Sequence, residues 1–178
     1  MRSRAIRSFV AIPICLGAAA CHSAKDSPPQ PSKEVAKLGQ LVGKWSSKSH
    51  HLAQDLRGGA PDRDLVFTCL WTKDRNYVAC SQVGEIAGKE VKEVDVYGYS
   101  EQARLYTMIV FVDIADSPPQ VFSNWFEWDG SLWRFLPRDG IRATWEFTSP
   151  DHHVTRAERL VDGKRWELTA IGEHTRVY

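Results

Sequence analysis

The stretch "SNWFEWDGSLWRFLPRDGIRATWEF", residues 123–147, decides the fold of this 178-residue chain. Aromatic and β-branched residues alternate with polar ones, as in strands with one buried face, and the pieces are punctuated by turn residues. A two-residue loop at Asp129-Gly130 sets Trp128 opposite Ser131, Phe126 opposite Trp133, Asn124 opposite Phe135 and Phe122 opposite Pro137. In the next turn, "PRDGI", a three-residue loop with Gly140 in the left-handed region keeps the apolar faces together, with Trp133 opposite Trp145 and Phe135 opposite Ala143. A two-residue loop there would set Glu146 against Trp133. One face of the resulting sheet is largely aromatic and is expected to be interior. The other carries Ser123, Glu127 and Arg134, together with Trp125.

The same rhythm runs outward in both directions. Strands are expected at 44–51, 63–71, 76–84, 91–100, 104–113, 119–128, 131–137, 141–149, 152–161 and 164–178, the last with a break at Gly172 as an option. One helix precedes them, "SKEVAKLGQLVG", with Ser32 as N-cap and Val35, Leu38, Leu41 and Val42 on one face. The fold class that follows is all-β: an antiparallel up-and-down barrel of about eight to ten strands with one short N-terminal helix, a sandwich being the alternative.

The first residues differ in kind. Arg2, Arg4 and Arg7 precede the apolar "FVAIPICLGAAAC", too short to span a bilayer but suited to a secretory signal. Residues 1–20 are therefore expected to be a signal peptide, 21–32 a lipidated N-terminus with a Pro-rich tether, and 33–178 the barrel domain. Ala18, Ala19 and Ala20 run into Cys21 in a pattern that resembles the lipobox of bacterial lipoproteins, which implies acylation of Cys21. His22, where many inner-membrane lipoproteins have aspartate, points by the same resemblance to the outer membrane and a periplasm-facing domain. An ordinary signal cleaved near Ala20 is the other reading. Without its three arginines the rest of the chain holds 20 basic and 22 acidic residues, a formal charge of −2, which gives no nucleic-acid footprint.

In "FTCLWTKDRNYVACS" a turn centred on Asp74-Arg75 sets Cys69 opposite Cys80, within disulfide reach. A bridge and two buried free thiols both fit this spacing. No nucleophile with an orienting base is visible, so no enzyme is expected. Glu93 and Asp95, on one face of "VKEVDV", read as a solvated pair. The adjacent histidines His50-His51 and His152-His153 send their members to opposite strand faces, which is poor geometry for one metal ion. No metal or cofactor is expected.

"LVGKW", residues 41–45, resembles the G-x-W of the calycin superfamily, the lipocalins and fatty-acid-binding proteins. "VYGYS" (96–100), "WFEWDGSLWRF" (125–135) and "RLVDGKRWEL" (159–168) are similar to the small bacterial lipocalin-like proteins of the DUF1579 type. "TRVY" resembles the terminal R-x-Y of fatty-acid-binding proteins, which implies that Arg176 and Tyr178 grip an anionic head group. A structural role, Arg176 stacked on Trp45 across the barrel end, is the competing expectation. Nitrobindin-like barrels hold haem through a histidine near the chain end, a position His174 shares, without their other motifs.

The expected function is binding of a small apolar or amphipathic ligand in a barrel cavity, by an envelope lipoprotein held at the membrane through its N-terminal lipid. Ligand contacts are expected from Arg176, Tyr178, Phe126, Trp133, Phe135 and Trp145, with Trp71 and Trp125 as further wall residues. The alternative is a structural or interaction module with a filled barrel that recognises another envelope protein.

Overall fold

The computed structural model describes residues 30–52, 63–86 and 89–178. The signal segment, Cys21, most of the tether and the 53–62 loop lie outside these residues. Ten antiparallel strands form a closed barrel: β1 (Gly43–His51), β2 (Arg63–Trp71), β3 (Val78–Ile86), β4 (Lys89–Ser100), β5 (Leu105–Ile114), β6 (Gln120–Asp129), β7 (Leu132–Phe135), β8 (Ile141–Ser149), β9 (His152–Val161) and β10 (Arg165–Val177). Each strand pairs with its successor, and β1 pairs with β10, so no sheet edge is left open. The last strand continues through Gly172, and its irregularity falls instead between Leu168 and Ala170.

One end of the barrel is plugged. Ser32 caps α1 (Lys33–Lys37) by accepting from the Val35 amide at 3.3 Å, and the chain then tightens into a 3-10 turn over Leu38–Leu41. The helix is thus shorter than its apolar periodicity suggests. Leu38 and Leu41 are completely or almost completely buried, and Tyr106 donates from its hydroxyl to Glu34 at 2.7 Å, fastening the plug to β5.

The decisive stretch folds as hairpins, but in a different register. The first turn is Gly130-Ser131, and Asp129 pairs with Leu132, Trp128 with Trp133 and Phe126 with Phe135. The expected pairing is off by two residues, a shift that leaves every side chain on its assigned face. Gly130 sits at the first central position with φ +60°, a conformation glycine adopts at no steric cost. In the second turn Asp139 and Gly140 both have positive φ between the bridged Arg138 and Ile141. The loop proper is therefore two residues long. The register slips between Arg138 and Arg134, and the expected Trp133–Trp145 pair survives.

Candidate ligand-binding cavity

The plugged end is built around Trp45 and Arg176. The indole of Trp45 is fully buried and donates to the Leu41 carbonyl at 2.7 Å, and the Arg176 guanidinium lies over it, 4.3 Å from the ring centroid. Arg176 also donates to the carbonyls of Val42, of Gln40 at 3.0 Å and of Pro150 at 3.0 Å, and to the Asp151 carboxylate at 3.0 Å. Its donors are committed to the 3-10 turn and the β8–β9 turn. Gly43 makes the approach possible: with φ +137°, it presents hydrogen where a Cβ would lie 2.2 Å from the guanidinium.

Above the plug the barrel is filled by aromatic rings. Phe126 stacks on Trp133 at 4.6 Å and Trp133 on Trp145 at 5.6 Å, with Tyr97, Tyr106, Trp128 and Phe147 closing the layer. Such contacts contribute roughly 0.5–1.5 kcal/mol each beyond area burial. Cys69 and Cys80 face each other here and are joined by a disulfide, which ties β2 to β3.

Towards the opposite end the filling stops. An open cavity of about 530 Å3 is walled by Met108, Val110, Val112, Phe122, Phe135 and Trp145, with Asn124 and Glu93 among its polar groups. A second of about 280 Å3 adjoins it, sharing Glu93, Ala143 and Trp145, and reaches Phe67, Asp95, Tyr97 and His174. Volumes of this order suit a small organic ligand.

The polar interior is unusual. Glu93 and Asp95 point inward from β4, against the expectation of a solvated pair. Their alternation with Tyr97, which is buried, puts all three on the core face. Tyr97 donates to Asp95 Oδ2 at 3.3 Å, and Oδ1 is buried without a hydrogen-bond partner among the described residues. Burial, reinforced by the neighbouring Glu93 charge, raises the Asp95 carboxyl well above the usual range. His153 and His174 also turn inward. Burial pushes His153 down to about 2 and His174 down to about 4, so both are neutral at pH 7. His174 Nε2 meets Thr155 Oγ1 at 3.2 Å, whereas neither ring nitrogen of His153 meets a partner among the described residues. His152, its neighbour, turns instead to Thr148. Among the described residues no three His, Cys, Asp or Glu side chains gather as a metal site.

The expected contact residues therefore separate. Phe135 and Trp145 line the cavity. Phe126 and Trp133 are fully buried within the ring stack beneath it, a correction that follows from their two-sided packing. Arg176 is at the plugged end, and Tyr178 is 96 % exposed beyond the last strand, so the anionic grip is not assembled. Trp71 packs against the plug near Gly39, and Trp125 faces outward. The cavity's polar groups, Glu93, Asp95 and Asn124, were not singled out as ligand contacts from the sequence. The signal for them was present in strand alternation: Asn124 and Asp95 each share the face of an inward aromatic two residues away, and Glu93 shares the face of Tyr97 four residues on.

Topology defines the class, a closed ten-stranded antiparallel up-and-down barrel. No protein-family model matches the chain, and no curated protein matches it. Among solved structures, it is similar to Rv2717c of M. tuberculosis, with a TM-score of 0.51 and 8% identity over 84% of this chain and 100% of that one. The S-type phycobiliprotein lyase CpeS of Guillardia theta aligns with a TM-score of 0.48 and 14% identity over 80% of this chain and 92% of that one. At such identities the likeness to Rv2717c concerns fold alone.

Proposed function

We propose that this chain is a non-enzymatic binding protein whose barrel takes up a small apolar or amphipathic molecule. The observation that carries the reading is the 530 Å3 cavity, walled by aliphatic and aromatic side chains and open at the end opposite the plug. Its setting, on this reading, is a bacterial cell envelope: the signal-like 1–20 segment and lipobox-like Cys21 support a lipid anchor, with the domain facing the periplasm from the outer membrane. The motifs similar to DUF1579-type lipocalin-like proteins agree with that assignment.

The test is binding of the neutral fluorophore N-phenyl-1-naphthylamine to the purified domain. Saturable, stoichiometric fluorescence enhancement is expected, and Ala143→Trp, which fills the wall shared by both cavities, should abolish it while the protein stays folded. Absence of binding, or binding unaffected by Ala143→Trp, overturns the reading. Anchoring is tested separately by incorporation of labelled palmitate, expected to be lost in Cys21→Ser.

A second reading, an interaction module, is favoured by the barrel's outer surface. Val66, Val83, Val94, Phe111 and Val121 are all exposed, and the pairs Val66–Val83, Val94–Phe111 and Phe111–Val121 make them near-contiguous across five strands. A photo-crosslinker at Phe111 that captures no envelope protein in cells would remove this reading.

A further inference from the structure

The cavity's charges are distributed unevenly. Each rim arginine already has an acidic partner: Arg142 is held by Glu158 through two hydrogen bonds of 2.6 and 3.1 Å and stacks on Trp166, Arg156 pairs with Glu146 at 2.9 Å, and Arg138 with Asp139 at 3.4 Å. Deeper in stand two carboxyls, those of Glu93 and Asp95. Asp95 faces Cys80 in β3 and Val110 in β5, so neither neighbouring strand sets a cation beside it. The groups that act on its carboxyl are Glu93, with which it shares a side-chain hydrogen bond, and the Tyr97 hydroxyl, and both acids line the inner cavity. Two carboxyls this close in a desolvated setting are costly unless a proton or a cation stands between them. Trp145 and Phe67 line the same cavity and make its wall apolar around the two acids.

We propose that Asp95, with Glu93 beside it, is the polar subsite of this cavity, and that the preferred ligand is an amphipathic cation, a protonated amine carried on an apolar chain. This rests on the binding function proposed above. The ammonium takes the place of the proton held between the Asp95 and Glu93 carboxyls and donates to both, while the chain runs along Met108, Val110, Val112 and Phe135 towards the mouth. Charge-assisted hydrogen bonds of this kind are short and strong, and in a site that excludes water they discriminate by head group.

Displacement of bound N-phenyl-1-naphthylamine by decylammonium, decanol and decanoate at pH 7 tests the assignment, because the three share one chain. Decylammonium should displace the probe at concentrations roughly tenfold or more below decanol, with decanoate weakest. Asp95→Asn and Glu93→Gln, each of nearly unchanged shape, should bring decylammonium to the level of decanol and leave decanol itself unaffected. Equal displacement by all three, or preference for decanoate, overturns the cation assignment while leaving the cavity reading intact. Failure of the naphthylamine probe to bind removes both. Should Asp95→Asn fold poorly, Glu93→Gln and the ranking on the unaltered protein still decide the matter.

Discussion

The imidazoles of His153 and His174 lie face to face inside the barrel, 4.3 Å between centroids and 5° from parallel. Both are held neutral chiefly by burial among the rings of Trp45, Trp145 and Phe147, with mutual repulsion and the nearby Arg176 charge adding to the effect on His153. In the unfolded chain the same imidazoles titrate near their ordinary value of about 6.5. Below that pH the unfolded state binds protons that the folded state refuses, so stability falls as pH falls. The loss should be about 1.4 kcal/mol per pH unit for each imidazole, slowing near pH 4 where folded His174 takes up its proton. Urea denaturation at pH 7 and pH 5 measures it, and His153→Phe should flatten the dependence.

Asp95 has the opposite sign. Its folded carboxyl titrates above the unfolded one, so the folded state holds the extra proton and stability is lost as pH rises from the acid range. Asp95→Asn, which donates and accepts without charge, should therefore stabilise the ligand-free protein at pH 7. The gain should shrink towards pH 4. A destabilisation at pH 7 across replicate thermal melts would contradict the inward, desolvated placement.

Removing Arg176 should act on stability and not on uptake. Arg176→Ala strips the indole of its cation and leaves the Val42, Gln40 and Pro150 carbonyls without this donor, at a cost of about 3 kcal/mol. Naphthylamine binding by the folded fraction should be unchanged. Loss of binding with stability retained would restore a ligand-gripping role.

The disulfide closes a short loop, with a sequence separation of 11 between Cys69 and Cys80. Replacing both cysteines with alanine should lower unfolding free energy by about 3 kcal/mol, the chain-entropy effect for a loop of that size. Chemical denaturation with and without reductant gives the same comparison on the unaltered chain.

The strands were legible because the alternation around Trp125, Phe126, Trp128 and Trp133 is strong and the turns between them are marked by glycine. Registers were less legible. Asp129-Gly130 and Gly130-Ser131 both satisfy the glycine and preserve the faces, so local chemistry does not choose between them. The site was harder still. Trp133 and Trp145 have the same composition signal, yet one is enclosed by rings on both sides and the other borders open space, a distinction made by strands far apart in sequence. Glu93 and Asp95 were misjudged for a simpler reason: acid residues are usually outside, and that prior outweighed their alternation with Tyr97.

The plug fixes more than the barrel's base. Residue 30 leaves the described chain beside the helix, at the end where Trp45 and Arg176 meet, and the cavity opens at the other end. Whatever holds the chain upstream of that point therefore grips it by its floor. On the envelope reading proposed above, the tether would join the barrel at its floor and leave the mouth unobstructed.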